Sequence, residues 1–162
     1  MKFLILVIIL FSFNSWSYHD IEEYRYANPK SETGVLGLSA DRERVIAGDR
    51  GISTNKCDYG DPDLCVFFFD WIFTIPLNDC NGFKVKHNET TVSCAYRKEM
   101  YYLGAHRIVT TMFSTSPEGE SYFYYTPELG LFLIEAISDG DRAIFLLVGE
   151  KGYGWEKHKI GK

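Results

Sequence analysis

The sequence predicts a small, mainly β protein held by disulfide bonds. Short apolar runs alternate with turns rich in Gly, Pro, Asp and Asn, hardly any segment shows helical periodicity, and the chain contains four cysteines. A single antiparallel sheet, a sandwich and a small barrel are all compatible with this pattern. The C-terminal half has the regular strand and turn spacing of an antiparallel meander.

The N-terminus has the organisation of a secretory signal peptide. Lys2 supplies a positive charge, the apolar run from Phe3 to Phe13 follows, and Ser15 and Ser17 are the small residues that signal peptidases require. The run is too short to span a bilayer comfortably. We therefore expect a signal peptide over residues 1–17 and one exported domain over residues 18–162, without membrane anchoring after cleavage.

The first part of the mature chain carries weak strand signals. Residues 18–34 are polar and charged without a sustained period, which predicts an exposed arm. Val35–Ser39 and Arg44–Ala47 are strand candidates because apolar and β-branched residues recur in them. Gly and Asp in residues 48–51 then predict a turn.

The most apolar run of the mature chain is predicted as one strand, Val66–Ile75, which ends at Pro76. Alternate residues of a strand face opposite sides of a sheet. One side of this run is wholly apolar, whereas the other carries Phe68, Asp70 and Ile72. These three residues are the candidate lining of a cavity.

The remaining strands predict a hairpin followed by a meander. Asp139-Gly140 is the strongest short hairpin signal in the chain. Residues 150–162 are basic and glycine-spaced, so we expect a mobile tail there. The predicted strands are Phe83–His87, Thr90–Tyr96, His106–Phe113, Ser121–Thr126, Leu131–Ile137 and Arg142–Val148.

The even number of cysteines in an exported chain indicates disulfides. The competing interpretation is a zinc site, but no cysteine pair has the close spacing that zinc sites use. The closest spacing along the chain favours Cys57–Cys65 with Cys80–Cys94, since each bridge would close a short loop over turn residues. We predict no metal site and no cofactor.

Two carboxylates each stand alone in an apolar strand, Asp70 and Glu135. Such groups can form an acid/base pair with raised pKa values. The structural alternative is that each reaches solvent or meets an arginine, for example Arg107 or Arg142. The chain has no recognisable nucleophile elbow, metalloprotease motif or phosphate-binding loop, so we predict no catalytic residue.

Tyrosines are the best candidates for a contact surface. Tyr101-Tyr102 and the run 122–125 place tyrosines on both faces of their strands, and only one face of each strand can be fully buried. The net charge of −5 argues against nucleic acid and favours a basic protein partner. The candidate contact residues are Tyr101, Tyr102, Tyr122 and Tyr124.

Three functions fit these observations. The preferred one is an exported, bacterial periplasmic binding protein of the inhibitor or immunity type, which blocks a basic partner such as a cell-wall-directed toxin or hydrolase. The first alternative is a carrier that holds a small apolar ligand in a curved sheet. The second is an enzyme of unrecognised type that uses Asp70 or Glu135.

Overall fold

The computed structural model describes residues 23–31, 34–39, 43–48, 50–56, 65–68, 71–74 and 80–154, with the backbone alone at 55, 56, 65–68, 71 and 73. The described residues form thirteen β-strands and no helix. The strands are β1 Glu23–Ala27, β2 Val35–Ser39, β3 Arg44–Ala47, β4 Arg50–Ser53, β5 Asn55–Lys56, β6 Cys65–Phe68, β7 Trp71–Thr74, β8 Lys84–His87, β9 Thr90–Tyr102, β10 Ala105–Ser116, β11 Gly119–Thr126, β12 Gly130–Ser138 and β13 Asp141–Val148.

Ten of these strands form one antiparallel sheet in the order β4-β3-β2-β1-β13-β12-β11-β10-β9-β8. The sheet consists of two meanders, one at each end of the chain, which join where β1 pairs with β13. The first and last described strands therefore lie side by side in the middle of the sheet. The other three strands, in the order β5-β6-β7, form a second small sheet.

The predicted mainly β class and the C-terminal meander are confirmed. The predicted bounds of β2 and β3 agree with the structure. Ser138 pairs with Asp141 across the turn formed by Asp139 and Gly140, whose φ angles are 51° and 83°. Positive φ at both central residues is the backbone that matches the twist of a two-residue hairpin.

The single strand predicted over Val66–Ile75 is wrong. β6 and β7 pair antiparallel, with Phe68 opposite Trp71, so the chain reverses between them. An apolar run that reverses tightly has the same composition as one long strand, and periodicity does not separate the two. The Asp within the run was the available turn signal, although Asp70 itself lies outside the described residues.

The exposed arm predicted over residues 18–34 is also wrong where the structure describes it. β1 occupies the middle of the sheet, and Tyr26 is 0% exposed. In this strand Tyr24 and Tyr26 alternate with the charged residues Glu23 and Arg25. This is the two-residue period of a strand, but it is apparent only if tyrosine is treated as an apolar residue.

The predicted mobile tail is corrected for its first part. The backbone N–H of Gly152 donates to the Leu129 carbonyl at 2.6 Å, and the N–H of Leu131 donates to the Tyr153 carbonyl at 2.8 Å. Tyr153 is 1% exposed. Residues 150–154 are thus docked beside β12, and residues 155–162 lie outside the described part of the chain.

The core lies on one side of the ten-stranded sheet, which we call the inner face; the opposite side is the outer face. Residues directly opposite each other on paired strands share a face. Tyr26 of β1, Phe123 of β11 and Met112 of β10 belong to one buried cluster on the inner face, and Ile72 of β7 joins it. The small sheet therefore packs on the inner face of the large one.

The disulfide predicted between Cys80 and Cys94 is confirmed, with the two Cα atoms 5.2 Å apart. It ties the segment before β8 to β9. Such a bond is compatible with an extracellular or periplasmic location. The other predicted bridge stays a prediction, because Cys57 and the side chain of Cys65 lie outside the described residues.

Candidate interaction surface

The hairpin formed by β9 and β10 extends beyond its neighbours in the sheet. The pairing of β10 with β11 stops at Thr110 opposite Tyr125, and the pairing of β8 with β9 stops at Lys84 opposite Ser93. Residues 95–109 therefore pair only with one another among the described strands. We call this segment the hairpin extension.

The tip of the hairpin extension is apolar and exposed. Tyr101 and Leu103 are each 69% exposed. The reversal between Tyr102 and Ala105 uses Leu103 at φ 48° and Gly104 at φ 76°. Positive φ is uncommon for leucine, and Asn, Asp or Gly is the usual choice at this position of a hairpin turn.

Arg107 links the hairpin extension to the turn between β11 and β12. The Arg107 Nε–H donates to the Tyr102 carbonyl at 3.4 Å. The Arg107 guanidinium also lies 3.9 Å from a carboxylate oxygen of Glu128. Arg107 therefore contacts both the strand that leads into the tip and the turn that follows β11.

The structure brings three of the four predicted tyrosines onto the outer face. The Tyr102 ring lies 4.4 Å from the Phe132 ring, and the Tyr124 ring lies 6.4 Å from the same Phe132 ring. Tyr122, two residues before Tyr124 on β11, has its ring 4.9 Å from the Phe113 ring. These three tyrosines are half-buried.

Tyr101 lies apart from the other three. It is on the opposite side of the hairpin extension, where its ring is 5.3 Å from the His106 ring. The His106 imidazole also lies 3.5 Å from the Glu99 carboxylate. Three of the predicted tyrosines therefore share the outer face, and Tyr101 is a separate exposed ring.

An open groove separates the hairpin extension from the end of β13. Its volume is about 560 Å³, and its apolar lining includes Tyr102, Phe132 and Leu146. Charged groups stand at its rim, where the Lys151 ammonium donates to the Glu128 carbonyl at 2.7 Å. Sequence reasoning missed this groove, since its residues come from three separate segments of the chain.

Glu135 is a buried carboxylate on the outer face, and it is fully engaged. The Arg142 Nε–H donates to one of its oxygens at 2.6 Å, and the Tyr124 hydroxyl donates to the other at 3.4 Å. Burial, followed by the negative charge of Glu135, raises the pKa of Tyr124 to about 12. The hydrogen bond and the charge of Glu135 raise the pKa of Arg142 as well. The predicted alternative, in which Glu135 meets Arg142, is confirmed.

The predicted cavity lining is affected by the error in strand assignment. Ile72 is buried in the core, opposite Phe67 of β6. The shared face of Phe68, Asp70 and Ile72 required one continuous strand, which the structure does not have. The Phe68 side chain and Asp70 lie outside the described residues, so this cavity stays a prediction without its original support.

Comparison with known proteins gives no relative: no family model, no curated protein and no solved structure matches this chain. Within the described residues, no group of three or more His, Cys, Asp or Glu side chains is placed to hold a metal ion. The same residues include no helix of the length and hydrophobicity needed to cross a membrane.

Proposed function

We propose that this chain is an exported, periplasmic binding protein of the inhibitor or immunity type, which blocks a basic protein such as a cell-wall-directed toxin or hydrolase. The observation that supports this proposal most is the hairpin extension with its exposed apolar tip. The signal-peptide pattern and the Cys80–Cys94 disulfide support export.

The exposed apolar side chains are concentrated on this one element. Among the described residues, six large apolar side chains are exposed, and four of them belong to the hairpin extension: Tyr96, Tyr101, Leu103 and Ile108. Concentrated apolar exposure is a mark of interaction sites, and aromatic side chains are the usual anchors of protein interfaces. Inhibitors of this kind would insert the tip into a cleft of the partner.

The backbone of Leu103 supports the same conclusion. A leucine in the left-handed region costs conformational energy, which Asn or Gly would avoid. An exposed leucine gains nothing from the core to offset this cost. Contact with a partner would offset it.

The charge supports a basic partner through long-range attraction. The chain carries a net charge of −5, and an acidic protein raises the association rate of a basic one. The hairpin extension itself has mixed charges, with Arg97, Lys98 and Arg107 against Glu99. We therefore propose that the net charge of the whole chain attracts the basic partner and that the apolar tip makes the close contact with it.

The proposal is tested with the double variant Tyr101→Ser, Leu103→Asn. Asn tolerates positive φ, so this variant removes the apolar tip without straining the turn. Wild-type protein, immobilised and exposed to the envelope fraction of the producing cell, should retain a basic protein whose cell-wall-degrading or toxic activity it then inhibits in solution. The double variant should retain less than a tenth as much.

Val148→Thr is the matched control, because it makes an exposed strand residue polar outside the hairpin extension. It should retain the partner at the wild-type level. Equal retention by the double variant, or a retained protein whose activity is unaffected, would rule out the proposed role of the tip.

The carrier is the second candidate, and the groove beside Phe132 favours it. Its volume of about 560 Å³ lies within the usual range for small-ligand sites, and its lining is largely apolar. A carrier should bind a fluorescent apolar probe with one-to-one stoichiometry, and Leu146→Asp should abolish that binding. An inhibitor that uses only the hairpin tip would be unaffected by Leu146→Asp.

A further inference from the structure

A small polar pocket lies at the end of the inner face, beside the turns that follow β10 and β12. Its volume is about 210 Å³, and it is separate from the groove beside Phe132. The Ser138 hydroxyl donates to the Glu118 carbonyl at 2.8 Å, so the two turns are joined at the rim of the pocket. The pocket is therefore bounded by parts of three neighbouring strands, β10, β11 and β12.

The pocket exists because the side chains of the inner face change abruptly in size from one row to the next. A row here means the residues that lie directly opposite each other on successive paired strands. One row is Met112, Phe123, Ile134 and Phe145, and the next row toward the turns is Ser114, Ser121, Ala136 and Ala143. The first row belongs to the core or packs against it. The second row is too small to fill the same depth, and a space remains.

Two buried serines of this second row have no hydrogen-bond partner in the described part of the chain. Ser114 and Ser121 line the pocket directly opposite each other, and they are only 7% and 8% exposed. Neither hydroxyl makes a hydrogen bond there, whereas the Ser116 and Ser138 hydroxyls near the turns donate to backbone carbonyls. Buried hydroxyls are normally hydrogen-bonded, because leaving one without a partner costs free energy. A ligand that bonds to both serines would remove that cost.

The pocket is also acidic. Glu118 and Glu120 line it, and neither carboxylate forms an ion pair within the described residues. Asp139 and Asp141 are exposed next to Ser138, in and after the adjoining turn. The lining that the structure describes includes no Lys, Arg or His. This arrangement repels an anion and attracts a cation.

We propose that this pocket binds a primary ammonium group at the end of a short aliphatic chain. An ammonium group has three N–H donors and no acceptor. The hydroxyls of Ser114 and Ser121 supply two acceptors, and a carboxylate of Glu118 or Glu120 supplies a third acceptor with the opposite charge. The aliphatic chain of the ligand would contact Ile137, which also lines the pocket.

Other cations match the pocket less well. Within the described residues, no group of three or more His, Cys, Asp or Glu side chains is placed to hold a metal ion. A guanidinium group is a planar fork that matches a carboxylate, rather than two separate hydroxyls. A volume of about 210 Å³ lies below the usual range for drug-sized ligands, so the pocket suits a small amine or a single side chain.

This proposal does not depend on the proposed function. β10 begins at Ala105, beside the apolar tip, and ends at Ser116, beside the pocket. The two sites therefore lie at opposite ends of one strand, and each can be removed without the other.

The test is an NMR titration of the full chain, in the form that the producing cell exports, with n-butylammonium. The amide signals of Ser114, Ser121 and Ala136 should shift saturably. n-Butanol has the same aliphatic chain without the charge and should give no saturable shift. The double variant Ser114→Ala, Ser121→Ala should weaken binding by about tenfold or more. It should melt at or above the wild-type temperature, because removing these hydroxyls leaves no other group unpaired.

A second double variant, Glu118→Gln with Glu120→Gln, tests the charge. It preserves the size of both exposed side chains, so the fold should be unaffected, and binding should again weaken by about tenfold or more. Glu150→Gln is the matched control and should bind as the wild type does. Glu150 is exposed beyond the other end of β13 and does not line this pocket.

Two further probes distinguish the sources of such an ammonium group. Spermidine represents free polyamines, and lysine capped at both backbone ends represents the side chain of a protein. Tighter binding of spermidine would assign the pocket to a free amine, and tighter binding of the capped lysine would assign it to a protein partner.

Three results would overturn the proposal: no saturable shift with any ammonium probe, equal binding of n-butanol, or undiminished binding by either double variant. Ca²⁺ is titrated in parallel. Shifts of the same signals with Ca²⁺ but not with the amines would also overturn it, since they would indicate a metal site.

Discussion

The hydroxyl oxygen of Tyr26 accepts the backbone N–H of Tyr153 at 3.1 Å and donates to the Leu131 carbonyl, also at 3.1 Å. One phenol thus joins β1, β12 and the segment after β13. Tyr26 is fully buried, so both hydrogen bonds are shielded from water. The two ends of the described chain are held together at this point.

Tyr26→Phe should lower the free energy of unfolding by about 1–3 kcal/mol, because the Tyr153 N–H loses its partner in a buried position. Urea denaturation measures the change. Tyr101→Phe is the control: Tyr101 is 69% exposed, and its replacement should leave the stability unchanged. Equal stability of Tyr26→Phe and wild type would show that the hydrogen bonds of Tyr26 contribute nothing to folding.

The same burial predicts how stability depends on alkaline pH. Desolvation raises the pKa of Tyr26 far above its usual value of 10.0, and it raises the pKa of Tyr125 as well. The unfolded chain ionises these tyrosines above about pH 10, whereas the folded chain keeps them neutral. The stabilisation that the buried tyrosines give the folded state is therefore complete below about pH 10 and is lost as the pH rises further.

The contribution of Tyr26 to that loss should approach about 1.4 kcal/mol for each pH unit above about pH 10. Urea denaturation at a series of alkaline pH values gives the slope. Tyr26→Phe should show a shallower slope than wild type. Parallel slopes would mean that Tyr26 ionises in the folded protein.

The close approach of the C-terminal segment to β12 predicts a steric effect at Gly152. A Cβ atom on Gly152 would collide with the Leu131 carbonyl oxygen. Gly152→Ala should therefore destabilise the protein by about 1–3 kcal/mol. Gly51→Ala is the matched control, because a Cβ at Gly51 meets nothing within 4 Å. Thermal unfolding of the two variants should differ clearly, and equal melting temperatures would contradict the docked position of this segment.

Local signals were enough to predict much of the sheet. Asp139-Gly140 determines a hairpin through backbone conformation alone, and the β-branched runs around it have no competing helical period. The prediction failed where an element depends on distant partners. β1 is a strand because β13 and β2 pair with it, and its own sequence shows little more than two tyrosines.

The candidate surface could be predicted only in part, because it also depends on residues that are distant along the chain. Tyr102 and Tyr124 could be named from their strands, but their meeting at Phe132 depends on the registers of three strand pairs, β9 with β10, β10 with β11 and β11 with β12, and on a bulge in β12. The exposure of Leu103 had a signal in the sequence, since Leu103-Gly104 interrupts a long β run at a turn. Composition alone gave no reason to expect an exposed apolar side chain at this turn rather than at the other turns.

The Cys80–Cys94 disulfide should stabilise the edge of the sheet at β8. The two cysteines are 14 residues apart, and a bridge closing a loop of this size contributes about 3 kcal/mol in the chain-entropy model. Replacing both cysteines by Ala should reduce the free energy of unfolding by about that amount in urea denaturation. Peptide mapping without reductant should show this bridge in the wild type, and a different partner for Cys94 would contradict the structure.

Glu135 provides the last prediction, which separates a structural carboxylate from a reactive one. The negative charge of Glu135 raises the pKa of Tyr124, so Glu135→Gln should lower the Tyr124 pKa from its value of about 12. An ultraviolet absorbance titration of wild type and variant, each compared with its Tyr124→Phe counterpart, isolates this tyrosine.

Glu135→Gln should also remain folded, because glutamine keeps an oxygen that can accept from Arg142 or Tyr124. Arg142 is 61% exposed at its side chain, so water can solvate its charge once the carboxylate is gone. Partner binding should persist in the variant, since Glu135 is buried behind Tyr124 and Arg142. Loss of all function in a Glu135→Gln protein with unchanged melting temperature would instead assign chemistry to this carboxylate and favour the enzyme hypothesis over the inhibitor.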